Sequence, residues 1–305
     1  MVRSITLLAI VITLSLTTDQ SIAQTAHPID RTSEDVTVTG SKSREVLRGF
    51  VQSFATPARI TGKLARWENG ICPLTLGLRR EAIAFINGRV KDVAARVGAP
   101  IDGRDGCKPN IEIVFTTSPQ GLMDWVRQKH PDFLGYHDNS IQADRLASVT
   151  HPIQAWYRTA TRDFKGQVQI DAKNIAGGGV QVGNVYLPDA KAYAVSGTRL
   201  GDGLSSGFNH VIVAIDPGKM AHYEMGSLAD YIAMLALTQL NALDSCQQLP
   251  SIVNMLAQGC AQKPSALTEN DIAYLQGLYR MRGDQSLVIQ KDQVSYRMEQ
   301  ELKGH

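Results

Sequence analysis

Ser227-Leu228-Ala229-Asp230-Tyr231-Ile232-Ala233-Met234-Leu235-Ala236-Leu237-Thr238-Gln239-Leu240 is the stretch on which the fold turns. It is apolar at nearly every position. A helix with no polar face has nothing to offer water, so this one belongs buried at the centre of a domain. Ser227 with Asp230 three residues later reads as a capping box at its start, and the pattern repeats at Thr268 and Asp271.

Elements on either side are legible from their periodicity. Residues 43–54 predict a first helix with Val46, Leu47, Phe50 and Val51 on one side, and 64–67 and 71–74 read as strands. Ile83, Phe85, Ile86, Val90, Val93, Ala94 and Val97 recur at helical spacing over residues 79–97, with Gly98 placed to end the helix and Pro100 beyond it. Residues 110–115 are strand-like, and Ser118 caps a short helix with Pro119 at its first position and Leu122, Trp125 and Val126 inside. Residues 154–215 are strand-rich with glycine turns; after the Asp216-Pro217-Gly218 turn the chain is helical to about residue 280. That order predicts one α+β domain.

The chain opens as an exported protein does. Arg3 gives a positive start, an apolar run follows over residues 5–16, and Ser21 and Ala23 supply the small residues a signal peptidase reads. Cleavage is expected after Ala23, with a second site after Ala26. An uncleaved anchor would need about 20 apolar residues, and Thr17, Thr18 and Asp19 stop the run. The first cysteine is Cys72, far from any lipoprotein processing site. No later segment is apolar enough to span a bilayer, and a net charge of +2 argues against a general nucleic-acid binder. Localisation is therefore expected in the periplasm or beyond it.

The four cysteines, Cys72, Cys107, Cys246 and Cys260, are an even set in an exported chain and read as two disulfides. Three pairings exist; the clustering favours Cys72 with Cys107 and Cys246 with Cys260. Four-thiolate zinc binding is the rival, but the short Cys-x2–4-Cys knuckles are absent.

Three motifs need weighing. Gly203-Leu204-Ser205-Ser206-Gly207 matches the Gly-x-Ser-x-Gly pattern of serine hydrolases, whose serine sits on a strand-to-helix turn; here the segment runs into a strand, and a glycine-serine loop is the better reading. Gly177-Gly178-Gly179 lacks the spacing and the helix of a phosphate loop. Among the histidines His130, His137, His151, His210 and His222 there is no i, i+4 helical pair. His222 with Glu224, helped by His210, is the one cluster that could hold a metal.

Residues 267–279, Leu267-Thr268-Glu269-Asn270-Asp271-Ile272-Ala273-Tyr274-Leu275-Gln276-Gly277-Leu278-Tyr279, resemble the closing helix of metzincin zinc metallopeptidases. Residues 64–67, the 79–97 helix and the 110–115 strand resemble their opening strand, first long helix and following strand. The chain also resembles a group of uncharacterised exported proteins of Gram-negative bacteria with a Leu-Ala-Asp-Tyr helix. The resemblance implies a zincin-like α+β domain with a mixed sheet, a central buried helix and C-terminal helices. It places residues 227–240 where those peptidases carry His-Glu-x-x-His-x-x-Gly-x-x-His. Ala229 and Ala233 then stand at the first two histidines, Asp230 at the glutamate, Ala236 at the glycine and Gln239 at the third histidine. Alanine has no lone pair to give, and Gln239 alone does not hold zinc.

The expected organisation is a signal peptide over 1–23, a flexible segment over 24–43, a zincin-like domain over 44–285 and a tail over 286–305. No cofactor and no catalytic residue are expected, and the role is binding or scaffolding, with a peptide or an envelope protein as partner. The rival is a periplasmic hydrolase using an unrecognised metal site or Ser205. A third reading rests on residues 36–42, which resemble the short stretch opening the plug of TonB-dependent receptors.

Overall fold

The computed structural model describes residues 44–172, 179–182, 185–188, 193–196, 201–241 and 243–303. The expected signal peptide, the 24–43 segment with its 36–42 stretch, and Gly177 and Gly178 lie outside the described residues. In chain order, α1 (Arg44–Phe54) is followed by β1 (Ala65–Arg66), β2 (Pro73–Leu76), α2 (Arg80–Val97) and β3 (Ile111–Phe115). Next come α3 (Pro119–Lys129), a 3-10 turn (Pro131–Leu134) and α4 (Ser140–Ala147), then β4 (Ile153–Arg162) and β5 (Val168–Ile170). The hairpin β6 (Gly179–Val182) and β7 (Val185–Pro188) precedes β8 (Ser205–Ile215). The chain closes with α5 (Pro217–Met220), α6 (Met225–Leu237), a second 3-10 turn (Ile252–Met255), α7 (Glu269–Arg280) and α8 (Leu287–Lys303).

One mixed sheet organises the domain, in the order β2-β3-β8-β4-β5 with β1 also on β8. β2, β3 and β8 run parallel, β1 pairs in parallel with Ser206 and Gly207 at the start of β8, and β4 runs antiparallel along β8's other edge. β8 is the central strand and is buried at every position but Asn209, the near-continuous burial that coverage on both faces demands. Val211, Val213 and Ile215 face the main core with α6. Ile212 and Ala214 face a second core under α3 and α4, formed with Met123, Val126, Leu134 and Trp156.

α6 is buried at every residue from Ser227 to Leu237, so its final carbonyls cannot reach water and need partners. Three side chains supply them. The Tyr157 hydroxyl donates to Leu235 O (2.8 Å), the Trp67 indole N–H to Ala236 O (2.8 Å) and the Tyr279 hydroxyl to Leu237 O (2.9 Å). Burial pushes both tyrosine pKa values far up, which keeps the donors protonated.

α2 buries Ile86, Val90, Val93, Ala94 and Val97 on one stripe and ends at Gly98, whose φ of 79° is the left-handed value glycine adopts without strain. The expected Thr268–Asp271 capping box is present at α7. Both expected disulfides are formed, Cys72–Cys107 with Cα atoms 6.0 Å apart and Cys246–Cys260 at 5.4 Å. The mixed α and β content agrees with the expected α+β class.

Several expectations change. α6 begins at Met225, so Ser227 lies inside the first turn and does not cap; Glu224 holds the cap position without a side-chain bond. Phe85 and Trp125, expected on apolar faces, are exposed. Residues 287–303, expected in a tail, form α8, which packs on α7 through Val294 and Met298. Gly277 permits that close crossing, since a Cβ there would come within 2.9 Å of Val294 O.

Candidate functional site

The residues that the metzincin resemblance aligned with the zinc-binding motif fall in three different environments. Ala229 and Ala233 are fully buried in the main core, where each fills space that a larger side chain would need. Asp230 is 3% exposed. Its carboxylate takes the Arg89 Nε–H, a second Arg89 bond at 3.1 Å through Nη2, and the Leu267 backbone N–H at 2.9 Å. The group is therefore an electrostatic tie between α2, α6 and the segment leading to α7. Gln239, past the end of α6, instead lines a cleft on the other side of that helix's end.

His210, His222 and Glu224 are not brought together. His210 points to the second core, its ring 4.5 Å from that of Phe133 and its Nε2 3.4 Å from Glu112 Oε1. Interaction with the nearby His210 ring holds the Glu112 carboxyl below the usual glutamate range, although among the described residues His210 Nε2 makes no hydrogen bond. His222 lies on the turn after α5 with its ring against Tyr223, and Glu224 begins α6 on the opposite side of the sheet from His210. Among the described residues no three His, Cys, Asp or Glu side chains converge as a ligand set. The other described histidines serve local contacts: His130 packs against Trp125 and Phe133, His137 meets Gly135 O, and His151 pairs with Asp244.

Ser205 of the Gly-x-Ser-x-Gly stretch is the first residue of β8 rather than the tip of a turn into a helix. Its hydroxyl donates to Glu68 Oε1 (3.2 Å), and Glu68 also takes the Arg162 guanidinium at 2.8 Å. Among the described residues no histidine stands beside it to act as a base, and the glutamate's lone pairs are shared with an arginine.

The cleft that Gln239 lines has a volume of about 480 Å³. One wall is β4, through Ala155, Tyr157 and Thr159; the other is built from residues 56–59 and 134–136, with Arg145 at the rim. Its alignment on β4 follows from register. Asp216 N–H bonds Pro152 O, so Gln154, Trp156 and Arg158 exchange backbone bonds with β8. Ala155 and Tyr157 then turn their N–H groups the other way, toward the cleft. β5 covers β4 only from Ala160 onward. Among the described residues nothing bonds the Ala155 and Tyr157 N–H groups or the Ala155 carbonyl. Gly135 closes against this edge: a Cβ there would lie 2.9 Å from Tyr157 O, and its φ of 98° also favours glycine.

The sequence did not single out this cleft. Its residues come from five separate segments, and a half-free strand edge leaves no local mark in composition. The strand-rich character of residues 154–215 was the only available signal, and it reports strands without saying which of their edges is paired.

Comparison with protein-family models, with curated proteins and with solved structures finds no match to this chain. What the fold and site define is a disulfide-bridged mixed-sheet domain, with a sealed central helix and an open strand edge beside that helix's end.

Proposed function

We propose that this chain is an exported, non-catalytic zincin-like domain that binds an extended peptide segment of an envelope partner in the cleft beside β4. Two disulfides suit an oxidising compartment, and among the described residues no helix is long and apolar enough to cross a membrane. The zincin-like reading draws on the order of elements: an opening strand, a long helix, a parallel strand, an antiparallel strand, then a central strand running into the buried helix and a closing helix. Ala229 and Ala233 offer no ligand atoms, and Asp230 is committed to Arg89 and Leu267.

The observation that carries the binding role is the pair of unbonded N–H groups at Ala155 and Tyr157 facing a cleft. Backbone donors on a strand edge pair readily with another extended segment. The test is selection of a random peptide library, displayed on phage, against the wild type and against Ala155→Pro. Proline at an outward-facing edge position removes one donor and leaves the β8 side of the ladder intact. Peptides enriched on the wild type and lost on Ala155→Pro support the reading. A library that yields no enriched peptide, or peptides indifferent to Ala155→Pro, overturns it.

A further inference from the structure

Charge around the same cleft narrows what it accepts. Among the described residues, the charged side chains lining it are Arg59 and Arg145, and no carboxylate lines it. Arg59 is already engaged, with Asp138 at 2.6 Å and over the Tyr136 ring at 5.7 Å. Arg145, in the last turn of α4, is exposed and has no ion pair among the described residues. A guanidinium presents a planar fork that matches a carboxylate in two parallel bonds. Gln239 adds a side-chain amide to the lining of the cleft. Among the described residues, the peptide-facing surface thus combines backbone donors, a side-chain amide and one uncommitted cation.

Resting on the strand-edge reading above, we infer that the cleft selects an extended peptide bearing a carboxylate, seated on Arg145. The carboxylate has two sources, an Asp or Glu side chain or a peptide C-terminus. Either would be steered by the same arginine and weakened by salt, because the rim is open to solvent.

The experiment uses the full mature chain and has two arms. In the first, the displayed library, whose peptides are joined to the coat protein at their C-termini, is selected on wild type and on Arg145→Glu. Arg145 is exposed, so the variant is expected to keep the wild-type urea midpoint, which is measured alongside. Asp and Glu should be enriched about two- to fivefold over the input on wild type, the range an exposed ion pair supplies, and not on Arg145→Glu. In the second arm, a synthetic version of the selected sequence with its acidic residues changed to amides is compared as free acid and as C-terminal amide by fluorescence anisotropy. Acidic enrichment that depends on Arg145 assigns the carboxylate to a side chain. Free-acid preference of the same size that depends on Arg145 assigns it to the C-terminus. Selected peptides showing neither preference, or a preference unchanged in Arg145→Glu, overturn this inference and leave the strand-edge reading standing. If no peptide is enriched, both fail.

Discussion

Arg89 on α2 and Asp230 on α6 are paired through two nitrogens of one guanidinium, 141 positions apart in the chain. The carboxylate is 3% exposed while the arginine is 40% exposed. The pair therefore sits at the surface end of a buried contact. Its function is to hold α6 against α2 and, through Leu267, to hold the approach to α7.

Arg89→Ala should destabilise the domain by about 2–3 kcal/mol. Removing one member of a fully buried pair costs about 3–5 kcal/mol because the other charge is left uncompensated, and water reaching the partly exposed site reduces that here. Urea unfolding monitored by circular dichroism measures it. A change below about 0.5 kcal/mol would mean that the pair is one of the weak surface kind.

The Cys246–Cys260 bridge joins cysteines 14 positions apart in the chain. A loop of that size contributes about 3 kcal/mol in the chain-entropy model. The double variant Cys246→Ser with Cys260→Ser should unfold earlier by up to that amount, and the wild type should show no free thiol when unfolded without reductant. Thiols titrating in the unfolded wild type would contradict the pairing.

Glu299 on α8 receives Lys303 at 2.7 Å and Arg44 of α1 at 2.7 Å. The hydrogen bond from Lys303 first, then that from Arg44, holds its carboxyl below the ordinary value of 4.5. A depressed carboxylate adds stability that is fully present above its unfolded pKa and disappears as pH falls through the folded one. Glu299→Gln should therefore lower the urea midpoint near neutral pH, with the gap to wild type closing as pH drops below about 4.5. A gap independent of pH would mean that packing, not charge, explains it.

Much of this architecture could be read from local sequence. The nearly continuous apolar run from Leu228 to Leu237, interrupted only by Asp230, signalled burial, Gly98 signalled a helix end, and Thr268 with Asp271 signalled a cap, because each is decided by neighbours within a few residues. Ser227 with Asp230 shows where such reasoning stops. The spacing is the same as at Thr268 and Asp271, but Arg89 and Leu267 claim the carboxylate from outside the helix, and the helix begins two residues earlier than Ser227. α8 was hidden for a different reason. Gln290, Lys291, Ser295 and Glu299 are buried on it with hydrogen-bond partners, so its inward stripe is not apolar. The cleft escaped notice because Thr56, Gly135, Arg145, Ala155 and Gln239 meet only after the sheet has formed.

The most direct measurement for the account is elemental analysis of the protein, purified without chelator or nickel resin, together with mass spectrometry of a mixed peptide library incubated with it. Ala229 and Ala233 have no lone pairs to offer a cation, and Asp230 is held by Arg89, so no residue of α6 stands ready to activate a water. The expected result is no stoichiometric zinc and a library recovered uncleaved. One zinc per chain, lost together with a peptidase activity when His210, His222 or Glu224 is changed to Ala, would contradict the non-catalytic reading.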